Sequence, residues 1–392
     1  MANPWQELAD RLAFDYQPRT RMICGNGCVA RAGEVVRGLP ATRVLLVTDP
    51  GVAAAGHASR LQDILQAAGV EVLRFDEVRP NPTTRCVDAC VEVARAGRIE
   101  AFVALGGGSA MDTAKGANFL LTNGGRMQDY WGVGKASKPM LPLVAIPTTA
   151  GTGSEMQCAA LIADEHTHQK MACLDPKAAA RAALLDPELT LSQPDRVTAC
   201  TGLDAISHAV ETSVTRSRNA ISQLYAREAF RLASQAFPRV LRQPKDLSAR
   251  GAMLLAAAFA GTAIENSMLG AAHAAANPLT AHFDLTHGHA VALMLPHVVR
   301  FNAADTAARE AYNELSRLAG TGDGAETLAQ TLEHWRAMSG LVCLARACPQ
   351  AEGALDMLAA EAARQWTAQF NPRPLRVDDF AGLYRQALAV ES

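Results

Sequence analysis

From Gly251 to Val299 the chain carries neither lysine nor arginine, and this run holds five of its ten histidines. The middle reads GAAHAAANPLTAHFDLTHGHAVALMLPH, placing His273, His282, His287, His289 and His297 close together. Nearly every face of the alanine-rich approach is small or apolar, so Met253 to Ala276 is expected as one buried helix. An imidazole inside such a helix has to be satisfied, either by hydrogen bonds or by a metal ion.

Partners for a metal lie some way upstream, in TGLDAISHAVE. Leu203, Ile206, Ala209 and Val210 give this segment a helical period, with a helix start at Ser192-Gln-Pro-Asp195. Asp204 and His208 are four apart, which sets a carboxylate and an imidazole on one face, about 5–6 Å apart at Cβ. Such a pair can chelate one ion. The pairing is common by chance, and it gains weight from the His273/His287 pair in the nearly uncharged run.

Taken together, Asp204/His208, His273, and His287 followed by Gly288 resemble the metal-dependent group III, or iron-containing, alcohol dehydrogenases. The resemblance implies Asp204, His208, His273 and His287 as metal ligands, with His273, Asn277 and His287 at the reacting centre. It implies a homodimer or a higher homo-oligomer. It also implies a dehydroquinate synthase-like architecture, an α/β N-terminal dinucleotide-binding domain with a parallel sheet followed by an all-helical C-terminal metal-binding domain. One position departs from the family pattern: a second histidine is common four residues after the third ligand, and Asn277 stands there.

The first half of the chain carries the alternation that a parallel sheet needs. After a helical start, apolar runs at Arg21–Cys24, Arg43–Asp49, Val70–Phe75, Ile99–Leu105, Leu141–Ile146 and Arg181–Asp186 are expected as strands. Helical segments at 57–68 and 83–96 are closed by Gly69 and Gly97. Such β-α-β order argues for helices on both faces of one sheet. Cys158–Ala163 and Gln169–Leu174 alternate like a hairpin, with His166 and His168 solvent-facing near its turn. Beyond Ser192 the strand signal disappears. The expected domains are 1–190, binding dinucleotide, and 191–392, binding metal and substrate, with the nucleotide and the ion meeting in a cleft.

The strand ending at Leu105 runs into Gly106-Gly107-Gly108-Ser109 and then a helix. Glycines at such a junction admit a ligand close to the backbone, and the helix N-terminus favours phosphate. Neither G-x-G-x-x-G nor the P-loop pattern fits, since Met111 takes the third glycine's place. The whole GGGSAMDTAK segment is similar to the family's dinucleotide loop, which implies Asp112 as a further contact. PTTAGTGSE at 147–155 resembles a second family segment and implies contacts from Thr148, Thr149 and Thr152. Lys170 resembles a lysine near the nicotinamide ribose, and Asn81, ahead of Pro82, is placed among the cofactor residues. Asp49 ends the second strand, where a carboxylate can accept from a ribose 2′-hydroxyl and repel a 2′-phosphate. On the residues alone it reads equally well as a helix N-cap. The family's aspartate here selects NAD.

With 392 residues and a net charge of −2, the chain offers no basic surface for nucleic acid or an anionic membrane. No stretch approaches the length of consecutive apolar residues that a membrane span needs. Nine scattered cysteines and an N-terminus unlike a signal peptide are expected of a cytoplasmic protein with reduced thiols. Three imidazoles and a carboxylate suit Fe(2+), with Zn(2+) possible, as a Lewis acid toward an alcohol or aldehyde oxygen. NAD(H)-dependent alcohol dehydrogenase or aldehyde reductase activity is therefore expected. The alternatives are a dehydroquinate-synthase-like lyase, a metal hydrolase using the same Asp/His3 set, and a non-catalytic binding protein.

Overall fold

The computed structural model describes residues 14–167 and 169–389. The expected helical start and His168 lie outside the described residues. Gln17–Gln193 form one compact unit, and the chain from Pro194 onward belongs to a second.

In the first unit six strands lie in the order β1-β9-β6-β4-β2-β3, and every neighbouring pair is parallel. They are β1 (Arg21–Cys24), β2 (Arg43–Val47), β3 (Glu71–Phe75), β4 (Ala101–Gly106), β6 (Leu143–Pro147) and β9 (Ala182–Leu185). Helices cover both faces, so the central strands are apolar on both sides. Leu45, Val47, Phe102 and Ala104 enter one core, while Val44, Leu46, Val103 and Leu105 enter the other. This is why these strands read as unbroken hydrophobic runs.

The chain lays β3 on one side of β2 and then crosses to put β4 on the other. Between β2 and β4 the winding reverses, and ligands of open α/β sheets gather at the carboxyl ends of strands flanking such a point. Gly106 ends β4 there, and Asp49 and Thr148 follow β2 and β6. The hairpin is β7 (Ala159–Ala163) with β8 (Lys170–Leu174), antiparallel. A two-residue strand, β5 (Gly132–Val133), joins β8 in parallel and extends the hairpin to three strands.

The described residues of the second unit contain helices and no strand. Those that matter for the site are α6 (Asp195–Thr212), α8 (Leu247–Glu265), α9 (Ala271–Phe283) and α10 (His287–Asn302), numbered in chain order after five helices of the first unit and α7 (Ala220–Arg242). The expected single helix over Met253–Ala276 is wrong: it breaks at 266–270. Asn266 and Ser267 turn their side chains back onto the carbonyls of Thr262 and Ala263, at 2.8 Å each, and Met268 takes φ 90°. Side-chain bonds of this kind compete with the next helical turn and stop it. Helix α8 is the one described helix long and apolar enough to cross a bilayer, although Ser248, Arg250 and Glu265 interrupt its apolar run. Two-thirds of that window is buried against the neighbouring helices, so its apolar surface serves the bundle.

Candidate metal centre and nucleotide loops

Asp204 and His208 lie one turn apart on α6, and both are buried. His273 comes from the first turn of α9 and His287 from the first residue of α10. The Asp204 Oδ1 atom is 3.4 Å from His208 Nε2, 3.5 Å from His273 Nε2 and 4.0 Å from His287 Nε2. Ligand atoms of Asp204, His208 and His273 all fall within 4.8 Å of one another.

These separations are long for hydrogen bonds. The first two match the edge of a coordination tetrahedron, about 3.4 Å for ligands held at about 2.1 Å from an ion, and the His287 separation is somewhat longer. Asp204 Oδ1 and His273 Nε2 are buried and make no hydrogen bond, as expected of atoms that share a cation. The residues therefore fit a divalent ion.

The electrostatics agree. Burial by itself would raise the Asp204 carboxyl, but the imidazoles of His208 and His273 outweigh it and hold the group far below the usual carboxylate range. Burial would lower His273; the carboxylates of Glu211 and Asp204 overcome this and push it up to about 9. The point between these carboxylates demands positive charge, which a proton or a metal ion satisfies.

The other histidines of the run have separate duties. His282 pairs with Glu361 at 2.8 Å, and His289 Nε2 meets the Val342 carbonyl at 2.8 Å. His297 is buried and drops to about 4, through desolvation and then the Arg300 charge. Asn277, one turn beyond His273, donates from Nδ2 to Gln365 Oε1 at 3.0 Å. Its carbonyl oxygen is thereby the atom left to accept a hydrogen bond.

In the first unit the two small-residue loops touch. A Cβ on Gly107 would lie 3.2 Å from Thr149 Oγ1, and one on Gly108 would lie 2.8 Å from Thr152 Cγ2. Gly106 takes φ 152° and accepts the Thr148 N–H at 2.9 Å. Ser109 follows in the first turn of the helix that runs Gly108–Asn123. Asp49 is an N-cap, its Oδ1 accepting the Val52 N–H at 3.0 Å, while Oδ2 lies 3.3 Å from where a Gly106 Cβ would be. The capping reading of Asp49 is thus met, and its second oxygen lies beside the first glycine loop. Asn81 is exposed in the left-handed region, φ 51°. Asp112 is interior: its Oδ1 accepts from Ser154 Oγ at 3.0 Å. Burial lifts its carboxyl to about 6 against the charges of Lys115 and Lys170.

Two residues were missed in the sequence. Lys115 is fully buried, and its Nζ donates to the carbonyls of Ser154, Gln157 and Ala159 at 2.7, 2.8 and 3.0 Å. It clamps the second loop to the helix of the first. The available signal was a lone lysine in an apolar helix whose other charge is Asp112, three residues earlier. The other is Glu211, whose Oε2 is 2.5 Å from His273 Nδ1. Its signal was the D-x3-H-x2-E spacing on one face of α6.

A nucleotide-type α/β unit and an Asp/His metal centre define a metal-dependent dehydrogenase class. Residues 18–187 match the family described as iron-containing alcohol dehydrogenase, and residues 198–388 match its C-terminal domain. An NAD-dependent methanol dehydrogenase of Bacillus methanolicus is 33% identical over 373 residues, covering 93% of this chain and 97% of that one. A crystal structure of a 1,3-propanediol oxidoreductase has 31% identity and a TM-score of 0.92, over 96% of this chain and all of that one. A sulfoacetaldehyde reductase from Bifidobacterium kashiwanohense, solved with NAD+, has 28% identity and a TM-score of 0.88, over 97% and 100%. The chain belongs to the iron-containing alcohol dehydrogenase family, and it is an oxidoreductase of the alcohol dehydrogenase class. The lyase and hydrolase alternatives are not favoured.

Proposed function

We propose that the protein interconverts a small alcohol and its aldehyde or ketone with NAD(H), using an ion held by Asp204, His208, His273 and His287. The observation that carries this is the convergence of three imidazole Nε2 atoms, from three helices, on one carboxylate oxygen at 3.4–4.0 Å. The donor set suits Fe(2+), and Zn(2+) satisfies it equally. When bound, the ion supplies Lewis acidity toward the substrate oxygen. The dinucleotide takes up or delivers the hydride. In this reading residues 1–190 bind NAD through Asp49, Asn81, Gly106–Ser109, Asp112, Thr148, Thr149, Thr152 and Lys170, and residues 191–392 hold metal and substrate. Nine free cysteines support a reducing, cytoplasmic setting. The homodimer is read from the family resemblance. The test is nicotinamide absorbance with metal-loaded protein and a panel of alcohols and aldehydes. Absence of any NAD(H) turnover across the panel, with metal bound, would overturn the reading.

Cofactor choice follows from Asp49. With Oδ1 committed to the cap, Oδ2 is left for a ribose hydroxyl and against a 2′-phosphate. Asp49→Gly should narrow or reverse the NAD preference in kcat/KM, while losing only a few tenths of a kcal/mol as a cap. A native enzyme that already prefers NADP would reduce Asp49 to its capping role.

Proton handling follows from Asn277. Its amide does not titrate, and with Nδ2 held by Gln365 its Oδ1 can accept from an alcohol O–H or a water. The pH profile of kcat should lack a step from this position. Asn277→His should introduce one near neutrality, since a free imidazole titrates around about 6.5. Superimposable profiles and equal rates would remove Asn277 from the reacting centre.

A further inference from the structure

Glu211 is 3% exposed and lies on α6, three residues beyond His208 and seven beyond Asp204. Its carboxylate takes two donors. Oε2 faces His273 Nδ1 at 2.5 Å, and Oε1 accepts the Ala272 N–H at 2.6 Å. The break at 266–270 is what frees that amide, because Ala272 falls in the first turn of a new helix. Gly270 makes the approach possible: a Cβ there would stand 3.0 Å from Oε1. Asn371 Oδ1 takes the neighbouring Ala271 N–H at 3.3 Å, and Asn302 holds Asn371 in turn. The backbone turn that donates to the glutamate is therefore held from behind.

A carboxylate only accepts, so the proton between Glu211 and His273 belongs on Nδ1. The lone pair of a neutral His273 then sits on Nε2, the atom that faces Asp204 Oδ1 at 3.5 Å. We propose that Glu211 is a positioning residue for the metal centre, locking His273 in the Nδ1–H tautomer and adding a second buried negative charge beside the ion. The proposal rests on the reading of Asp204, His208, His273 and His287 as ligands. An outer-shell carboxylate of this kind orients its imidazole and raises its basicity.

Glu211→Gln separates this role from simple space filling. The amide keeps the shape but has one oxygen and one NH2. If its oxygen stays on the Ala272 N–H, the NH2 points at His273 Nδ1 and favours the Nε2–H tautomer, which cannot bind a metal through Nε2. If its oxygen turns to His273, two donors collide at Ala272. A space filler is replaced well by glutamine and badly by alanine; a tautomer lock is not.

The test uses zinc as a diamagnetic probe on the full chain, with affinity read by chelator competition. Glu211→Gln should weaken zinc binding by about 10–100-fold, and no less than Glu211→Ala does. Zinc-free wild type and Glu211→Gln should give the same circular dichroism. The zinc-loaded wild type should show a strongly deshielded His273 Nδ1–H resonance that the Gln variant lacks. Should Glu211→Ala fail to fold, the Gln variant alone decides. Zinc affinity of the Gln variant within about threefold of wild type, against that expected loss, overturns the proposal. A wild type that binds no zinc at Asp204 overturns the ligand reading and this inference with it.

Discussion

Asp204→Ala should lose metal and turnover together. Asp204 is the single anionic member of the proposed ligand set, and its Oδ1 is the point on which the three Nε2 atoms converge. Without it, three imidazoles hold the ion with no charge of their own, and Glu211 acts only through a ring. The loss of affinity should exceed the about 10–100-fold typical of an outer partner. Metal content after gel filtration and kcat with NAD measure it, and the two should fall in parallel. Full metal and full activity in Asp204→Ala, or in His287→Ala, would dismiss the assignment.

The second large effect is expected at a residue that donates nothing. Gly288 follows His287 at the start of α10, and a Cβ there would lie 2.1 Å from the Cys200 carbonyl oxygen and 3.3 Å from Asp204 Cβ. The obstacle is backbone of α6, so no rotamer change relieves it. Gly288→Ala must push α10 away from α6, and His287 moves with its helix. Overpacking costs about 1–3 kcal/mol even where side chains can yield, and the upper end is expected here. Urea unfolding and metal retention should both report the loss. A Gly288→Ala protein with wild-type stability and metal content would mean that the two helices are not held this closely.

What was legible in the sequence had a local cause. Buried parallel strands must be apolar on both faces, so β2, β4 and β6 stand out as runs. The i, i+4 pair Asp204/His208 and the glycines before Ser109 carry their geometry within a few residues. The break between α8 and α9 was illegible because alanine continues on both sides, and the side chains of Asn266 and Ser267 decide it. Strand β5 has only two residues. Lys115 and Glu211 were passed over for a common reason: each works on a partner distant in sequence, and a charge's duty is set by what the fold brings opposite it. Asn277 stood out as a departure from pattern, but its bond to Gln365 could be seen only in three dimensions.

The pairing of β1 with β9 has a consequence for biosynthesis. These strands open and close the nucleotide-type unit in sequence, yet they are hydrogen-bonded neighbours. Until β9 leaves the ribosome, β1 has no partner and β6 presents one bare edge. At about 5–20 residues per second β1 waits roughly 10–30 s, and the edge of β6 stays bare for roughly 2–8 s of that. An exposed edge of an apolar parallel sheet invites pairing with other nascent chains. Yield of folded protein should accordingly depend on translation speed and on holdase chaperones acting on the first half of the chain.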